Sequence, residues 1–208
     1  MGHIFTIGYA PHTIPSFCDV LNHYGITAVA DVRSNPHSRF KPEFNRENLM
    51  VALRRRGIAY VFIGDLCGAR PNIPACYVDG VVRLDILANR SEFRQGIERL
   101  QQGMRQFCLA VMCAEKDPIT CHRMVLISRH LYHASHVTVQ HILSNGSCED
   151  QREAEARLLR VYDLASEELP GFGRSYEERL DEAYRRQAER IAHHAEEDPE
   201  QTIGVTHA

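Results

Sequence analysis

Residues 107–131 read Phe107-Cys-Leu-Ala-Val-Met-Cys-Ala-Glu-Lys-Asp-Pro-Ile-Thr-Cys-His-Arg-Met-Val-Leu-Ile-Ser-Arg-His-Leu131, and a complete structural unit is written in them. Phe107 to Met112 is a short apolar run, the pattern of a strand covered on both faces. Asp117 and Pro118 interrupt it. From about Thr120 onward Met124, Ile127, Ser128 and Leu131 recur at helical spacing. A buried strand that passes through a polar loop into a helix is half of a βαβ crossover.

The same alternation extends in both directions. Ile4 to Tyr9 is a strand, and Thr13 is placed to cap a helix carrying Ile14, Phe17, Val20 and Leu21, closed by Gly25. Ile26 to Val32 is a second strand; Asn45 can cap the helix of Leu49, Val51 and Leu53, which Gly57 ends. Ile58 to Ile63 is a third, followed by a long irregular stretch from Gly64 to Gly80. Ser91 opens a helix with Phe93, Ile97, Leu100 and Met104, and Val137 to Leu143 is the last strand, closed by Asn145-Gly146. Strands that alternate with helices predict an α/β fold, a three-layer sandwich with a mainly parallel central sheet of about five strands.

Beyond Asp150 two charged helical runs follow, Gln151–Glu168 and Tyr176–His194, separated by Leu169-Pro-Gly-Phe-Gly173. The predicted organisation is an α/β core domain over 1–148, a helical C-terminal extension over 149–195 packed on the core, and a disordered tail over 196–208, where periodicity is lost. Tyr176, Leu180, Ala183, Tyr184, Ala188 and Ile191 mark one apolar stripe, which either packs on the core or joins a homodimer.

With 208 residues and 44% hydrophobic content, the chain can bury one substantial core. A net charge of −3 excludes a general attraction to nucleic acid or anionic membrane, so such binding needs a local patch. The N-terminus lacks the basic start and apolar run of a signal peptide, and no stretch is apolar enough to span a bilayer, so a cytoplasmic protein with no membrane partner is expected. Seven irregularly spaced cysteines point to reduced thiols or metal ligands rather than a disulfide framework.

In open parallel sheets ligands bind beyond the carboxyl ends of the strands. Here those ends carry Gly8-Tyr9, Asp31-Val-Arg33, Gly64-Asp65 and Cys113. Cys113 leaves its strand just before a helix, with Lys116 and Arg123 close in sequence, surroundings that favour a thiolate. One reading makes Cys113 a nucleophile with Glu115 or His122 moving protons. Another makes Cys113, Cys121 and His122 soft ligands for a transition metal such as zinc or iron, joined by Cys67, His37 or His141, although Cys-x7-Cys-His matches no standard zinc knuckle. A third makes the cysteines structural in a nucleic-acid or protein binding module. Asp31 needs a cationic partner, Arg33 or Arg123. Arg33, Arg39, Lys41, Arg70 and Arg123 are expected to form a positive rim, and Tyr9, Asp31, Arg33, Arg39, Lys116 and Arg123 to bind an anionic small molecule or a nucleic acid. Tyr9 and Phe40 could stack a ring or base.

The ordered set Thr6-Ile-Gly-Tyr9, Asp31-Val-Arg33 with Pro36 and Ser38-Arg39, Gly57-Ile-Ala-Tyr60, Met112-Cys-Ala-Glu-Lys116 with Pro118 and Cys121-His-Arg123, and His141-Ile142 resembles the family catalogued as domain of unknown function 488. Ala183-Tyr184 and Gln187 to Ile191 are similar to it as well. The resemblance implies a prokaryotic α/β protein and no particular reaction. Leu66-Cys67-Gly68 stands where that family has a Leu-Gly-Gly step, which adds a thiol near the expected edge. A looser similarity links Cys113 and Arg123 to the cysteine–arginine loops of rhodaneses and cysteine phosphatases, but their ten-residue separation and Pro118 do not reproduce that compact loop.

Overall fold

A computed structural model describes residues 2–165 and 173–194. The strands are β1 (His3–Gly8), β2 (Ala28–Asp31), β3 (Ala59–Phe62), β4 (Tyr77–Val78), β5 (Val81–Val82), β6 (Leu109–Cys113), β7 (Thr138–Ile142) and β8 (Cys148–Asp150). The α-helices are α1 (Ile14–His23), α2 (Arg46–Arg54), α3 (Gly64–Cys67), α4 (Leu84–Ala88), α5 (Ser91–Met104), α6 (Gln151–Val161) and α7 (Tyr176–Arg190). Six strands form one sheet in the order β3-β2-β6-β1-β7-β8, parallel except for the antiparallel pair β7 and β8.

Each face of the sheet has its own core. Phe17, Cys18 and Leu21 of α1 and Leu49 and Leu53 of α2 pack with Phe5, Ile7, Val29, Ala110 and Met112. Strand alternation turns Ile4, Ala28, Ala30, Val111 and Cys113 to the opposite face, where they meet α3 to α7. The three-layer α/β architecture expected from the alternating pattern is therefore present, with α6 and α7 packed on the second face.

The local signals explain most boundaries. Thr13 and Ser16 form a reciprocal capping box on α1, and Gly25 and Gly57 take the left-handed φ values of 65° and 71° that end the first two helices. Asn45 precedes α2 but makes no side-chain cap; its Oδ1 accepts from Ser38 N at 2.6 Å instead.

Four expectations are corrected. The stretch 64–80 is not one irregular loop. It holds the single turn α3 and then the hairpin β4–β5, which Asp79 and Gly80 close with positive φ values of 51° and 75°. The sheet gains a sixth strand, β8, whose three residues carry two acids and give no apolar pattern to read. Because β8 completes the sheet and its Asp150 forms the capping box of α6, the helical extension begins inside the core sheet. The two C-terminal helices are shorter than expected: α6 stops at Val161 and α7 at Arg190, after which His193 and His194 lie along Val82 and Val81. The proposed tail and most of the linker between the two runs lie outside the described residues.

The fourth correction concerns the helix after the motif loop. A 3-10 turn, Pro118–Thr120, precedes two π-helical segments, Arg123–Ser128 and His130–Ala134. All six residues of the first segment are buried, so that segment lies inside the protein with no solvent face, whereas the second reaches the surface at His133 and Ala134. No helix among the described residues is long and apolar enough to cross a membrane.

Candidate metal centre

The connections explain where the chemistry gathers. From β1 and β2 the chain leaves into α1 and α2 on the first face, whereas from β6, their common neighbour, it leaves into the π-helical segment on the second. Loops that diverge to opposite faces open a crevice at the carboxyl end of the sheet, and the end of β6 lies in it. The ladder between β1 and β6 continues past the strands, with Tyr9 N donating to Cys113 O and Ala10 N to Ala114 O, both at 3.0 Å.

The loop after Cys113 turns back over the end of β1. A Cβ on Gly8 would lie 1.8 Å from Glu115 O, so the crossing requires glycine there. Arg123, wholly buried, holds the loop from below. Its Nη1 donates to Glu115 O at 2.7 Å and its Nη2 to Lys116 O at 3.3 Å. Asp117 Oδ1 accepts from Ile119 N at 3.1 Å and pairs with Arg157 of α6 at 2.9 Å, and Gln187 of α7 donates to Ile119 O at 2.7 Å. Both C-terminal helices thus fix the loop. Arg157 and Gln187 lie in charged helical runs whose pattern assigns them no part in the loop, although Gln187 opens a stretch that carries the family resemblance.

Within this frame Cys113, Cys121 and His122 converge. Their exposures are 3%, 1% and 7%, and their ligand atoms all lie within 4.8 Å of one another. His122 Nδ1 is 3.7 Å from Cys113 Sγ and 3.9 Å from Cys121 Sγ. Its Nε2 is 3.1 Å from Val32 O; a carbonyl can only accept, so Nε2 carries a proton in either charge state and Nδ1, the nitrogen that titrates, faces the sulfurs, with a lone pair there in the neutral ring. Glu115 is exposed as a residue, yet its Oε2 reaches inward to 3.0 Å from Cys113 Sγ and 2.9 Å from Cys121 Sγ. Although Cys121 and His122 are adjacent, both enter the site, because Cys121 precedes the π-helical segment in extended backbone, φ −132° and ψ 141°.

The electrostatics separate the two thiols. Burial pushes Cys121 up, but the hydrogen bond from Cys113 and the charges of Arg123 and His122 outweigh it and hold Cys121 well below a free thiol. Arg123 N also lies 3.5 Å from its sulfur. Cys113 is raised well above a free thiol, first by hydrogen bonding to Cys121 and then by burial. Burial and the Cys121 charge raise Glu115; burial lowers His122, but Cys121 and Glu115 raise it further. Of the two thiols, Cys121 is the one biased toward giving up its proton.

The remaining expected residues lie elsewhere. Cys67 is buried where a Cβ on Gly96 would come within 2.3 Å of its sulfur, His37 is exposed and paired with Glu47, and His141 is buried between Thr6 and Gln151. None joins the cluster of three. All seven cysteines are free. Asp31 takes Arg33, not Arg123, as its partner, on the opposite face of the sheet from Cys113. The positive rim is not formed as expected, because Arg33 and Arg123 are buried while Arg39 lies exposed against the ring of Phe40, itself 85% exposed. A separate groove of about 500 Å³ runs between β5, α4, the π-helical segments and α7; it is lined by none of the expected site residues.

An α/β sandwich whose sheet-edge crevice gathers two thiols, an imidazole and a carboxylate is the class of protein that this geometry defines. The chain belongs to the family described as Domain of unknown function DUF488, whose sequence model matches residues 13–130, more than half of the chain. No curated protein and no solved structure matches it.

Proposed function

We propose that the protein is a metalloprotein that holds one divalent transition-metal ion, zinc foremost, on Cys113 Sγ, Cys121 Sγ and His122 Nδ1. The observation that carries this reading is the second hydrogen bond of His122. Its committed Nε2–H leaves the Nδ1 lone pair facing two thiols, the arrangement by which a metal-ligating histidine is oriented. A tetrahedral zinc with Zn–S near 2.3 Å and Zn–N near 2.0 Å sets its sulfur and nitrogen ligands roughly 3.5 Å apart. The 3.7 and 3.9 Å separations are close to that spacing without rearrangement of the loop.

Three ligands from the chain and a carboxylate that reaches over them from an exposed residue suit a reactive site better than a closed structural one. A metal there would polarise water or a carbonyl oxygen. Glu115 then either completes the ligand set or holds the proton that such chemistry releases. The nucleophile reading is the weaker one: Cys113 is 3% exposed and its thiol is pushed up, whereas Cys121, the more easily ionised of the two, is more deeply buried still.

The test is elemental analysis of the full chain purified without a histidine tag, followed by cobalt substitution. About one zinc per chain is expected, with sulfur-to-cobalt charge-transfer bands that disappear in Cys121→Ser. Absence of stoichiometric zinc, iron and copper, together with rapid alkylation of Cys113 in the folded protein, would replace this reading with thiolate catalysis.

A further inference from the structure

On the other side of the same crevice, in the loops that follow β1 and β2, a second group of polar side chains is buried. Asp31 is inaccessible, and both its oxygens are spent. Oδ1 accepts from Arg33 N at 3.1 Å and Nε at 2.9 Å, and Oδ2 from Arg33 Nη2 at 2.6 Å and Tyr60 Oη at 2.8 Å. Arg33 Nη2 also donates to Phe44 O at 3.0 Å. The guanidinium, in a residue 5% exposed, is therefore fixed along one edge; the Tyr9 hydroxyl also acts on it, while Nη1 makes no well-formed hydrogen bond. A buried charged donor left this way is costly unless an acceptor completes it.

Two more nitrogen groups, Lys41 and His12, lie near the aromatic stack beside Arg33. Tyr9 and Phe44 stack with ring centroids 4.6 Å apart; Arg33 lies 5.0 Å over Tyr9, and Lys41 Nζ lies 5.5 Å over Phe44. Lys41 donates to His12 O at 2.6 Å, which draws the β1 loop onto the stack. His12 is buried, with its ring against Phe17, and its Nε2 also has no partner. Asp31 neutralises Arg33 but nothing acidic bonds to Lys41, so the group carries a surplus of positive charge. Charge-assisted donors in a partly dry site select oxyanions.

We propose that Arg33 Nη1, His12 and Lys41 form an oxyanion site, which takes the phosphate or carboxylate group of a small ligand at the carboxyl edge of the sheet, on the face opposite the Cys113–Cys121–His122 cluster. The site uses Arg33 and Lys41, both members of the expected rim, with His12 as their companion in place of Arg39, Lys116 and Arg123. It stands independently of the metal reading, since the two lie on different faces and share no side chain.

The experiment is calorimetric titration of the full chain with inorganic phosphate and, separately, with acetate, each against sodium chloride at matched ionic strength. Saturable binding of either anion above the chloride control supports the site; phosphate alone assigns a phosphate group and acetate alone a carboxylate. Lys41→Met and Arg33→Lys should each weaken that binding about tenfold, the size of one lost charge-assisted hydrogen bond. Should Arg33→Lys fail to fold, Lys41→Met decides alone. Neither anion binding better than chloride, or binding unchanged in the folded variants, overturns the proposal. Metal content measured on the same samples keeps the outcomes apart: a metal-loaded protein that ignores both anions sinks only this site.

Discussion

The ring of His122 is held to the carbonyl of Val32 by a 3.1 Å hydrogen bond that joins the start of the π-helical segment to the end of β2. Because Nε2 is committed there, ring orientation and tautomer are decided by the fold before any ligand arrives. His122→Ala should leave the helix folded and lower zinc affinity by at least about 100-fold, the upper end of what even a supporting group is worth at such sites. Competition with a zinc chelator of known affinity measures it; an unchanged zinc affinity would remove His122 from the ligand set.

Gly8 tests the loop rather than its ligands. Alanine there would set a methyl carbon 1.8 Å from Glu115 O, and backbone cannot yield as a flexible side chain does. Gly8→Ala should cost about 1–3 kcal/mol as the loop lifts, with metal affinity falling because Cys113 and Glu115 leave with it. Urea denaturation with metal titration would show both; loss of stability at full metal affinity would mean that the crossing does not position the site.

How much of this could be read beforehand divides along physical lines. Apolar periodicity depends on residues a few positions apart, and it located β1, β2, β3, β6, β7 and the three-layer packing. It could not see β8, where Glu149 and Asp150 replace an apolar pattern. Nor could it distinguish a π-helical from an α-helical Arg123–Ser128, since a segment buried all round shows no face to count from. Cys113, Cys121, His122 and Glu115 were legible because they crowd one short loop. Arg157, Gln187 and the Val32 carbonyl were not, for their parts depend on elements that meet only in the folded chain. Arg33 and Arg123 looked alike in sequence. Folding placed one on each side of the sheet and buried both.

The Asp31 carboxylate gathers enough donors to predict a graded response. Tyr60→Phe removes one of them and should cost about 1–2 kcal/mol, whereas Asp31→Ala strands the buried Arg33 charge and should cost about 3–5 kcal/mol. Chemical denaturation gives both numbers. Equal costs would mean that Arg33 finds solvent or another acceptor when Asp31 is lost.

His141 supplies the pH dependence. Burial, together with the nearby charge of Arg123, lowers its pKa to about 4 although Gln151 opposes the shift, and Thr6 and Gln151 hold its two nitrogens at 2.8 and 2.9 Å. Its ordinary value is 6.5, so the unfolded chain binds a proton between pH 6.5 and 4 that the folded chain refuses. The folded state therefore keeps its full advantage above pH 6.5 and loses it as the pH falls toward 4, by roughly 3 kcal/mol over the window. The ring bonds Thr6 of β1 on one side and Gln151 of α6 on the other, and Gln151 donates to Glu155 at 3.1 Å and to Tyr184 of α7 at 2.7 Å. Protonation would add an N–H at Nδ1, against the Thr6 hydroxyl, and put a buried charge beside the seam that fixes both C-terminal helices behind the motif loop. Unfolding free energy measured from pH 7.5 to 4 should fall more steeply in the natural protein than in His141→Asn, which cannot titrate there. Parallel curves would mean that His141 is protonated in the folded state and that the seam carries a charge.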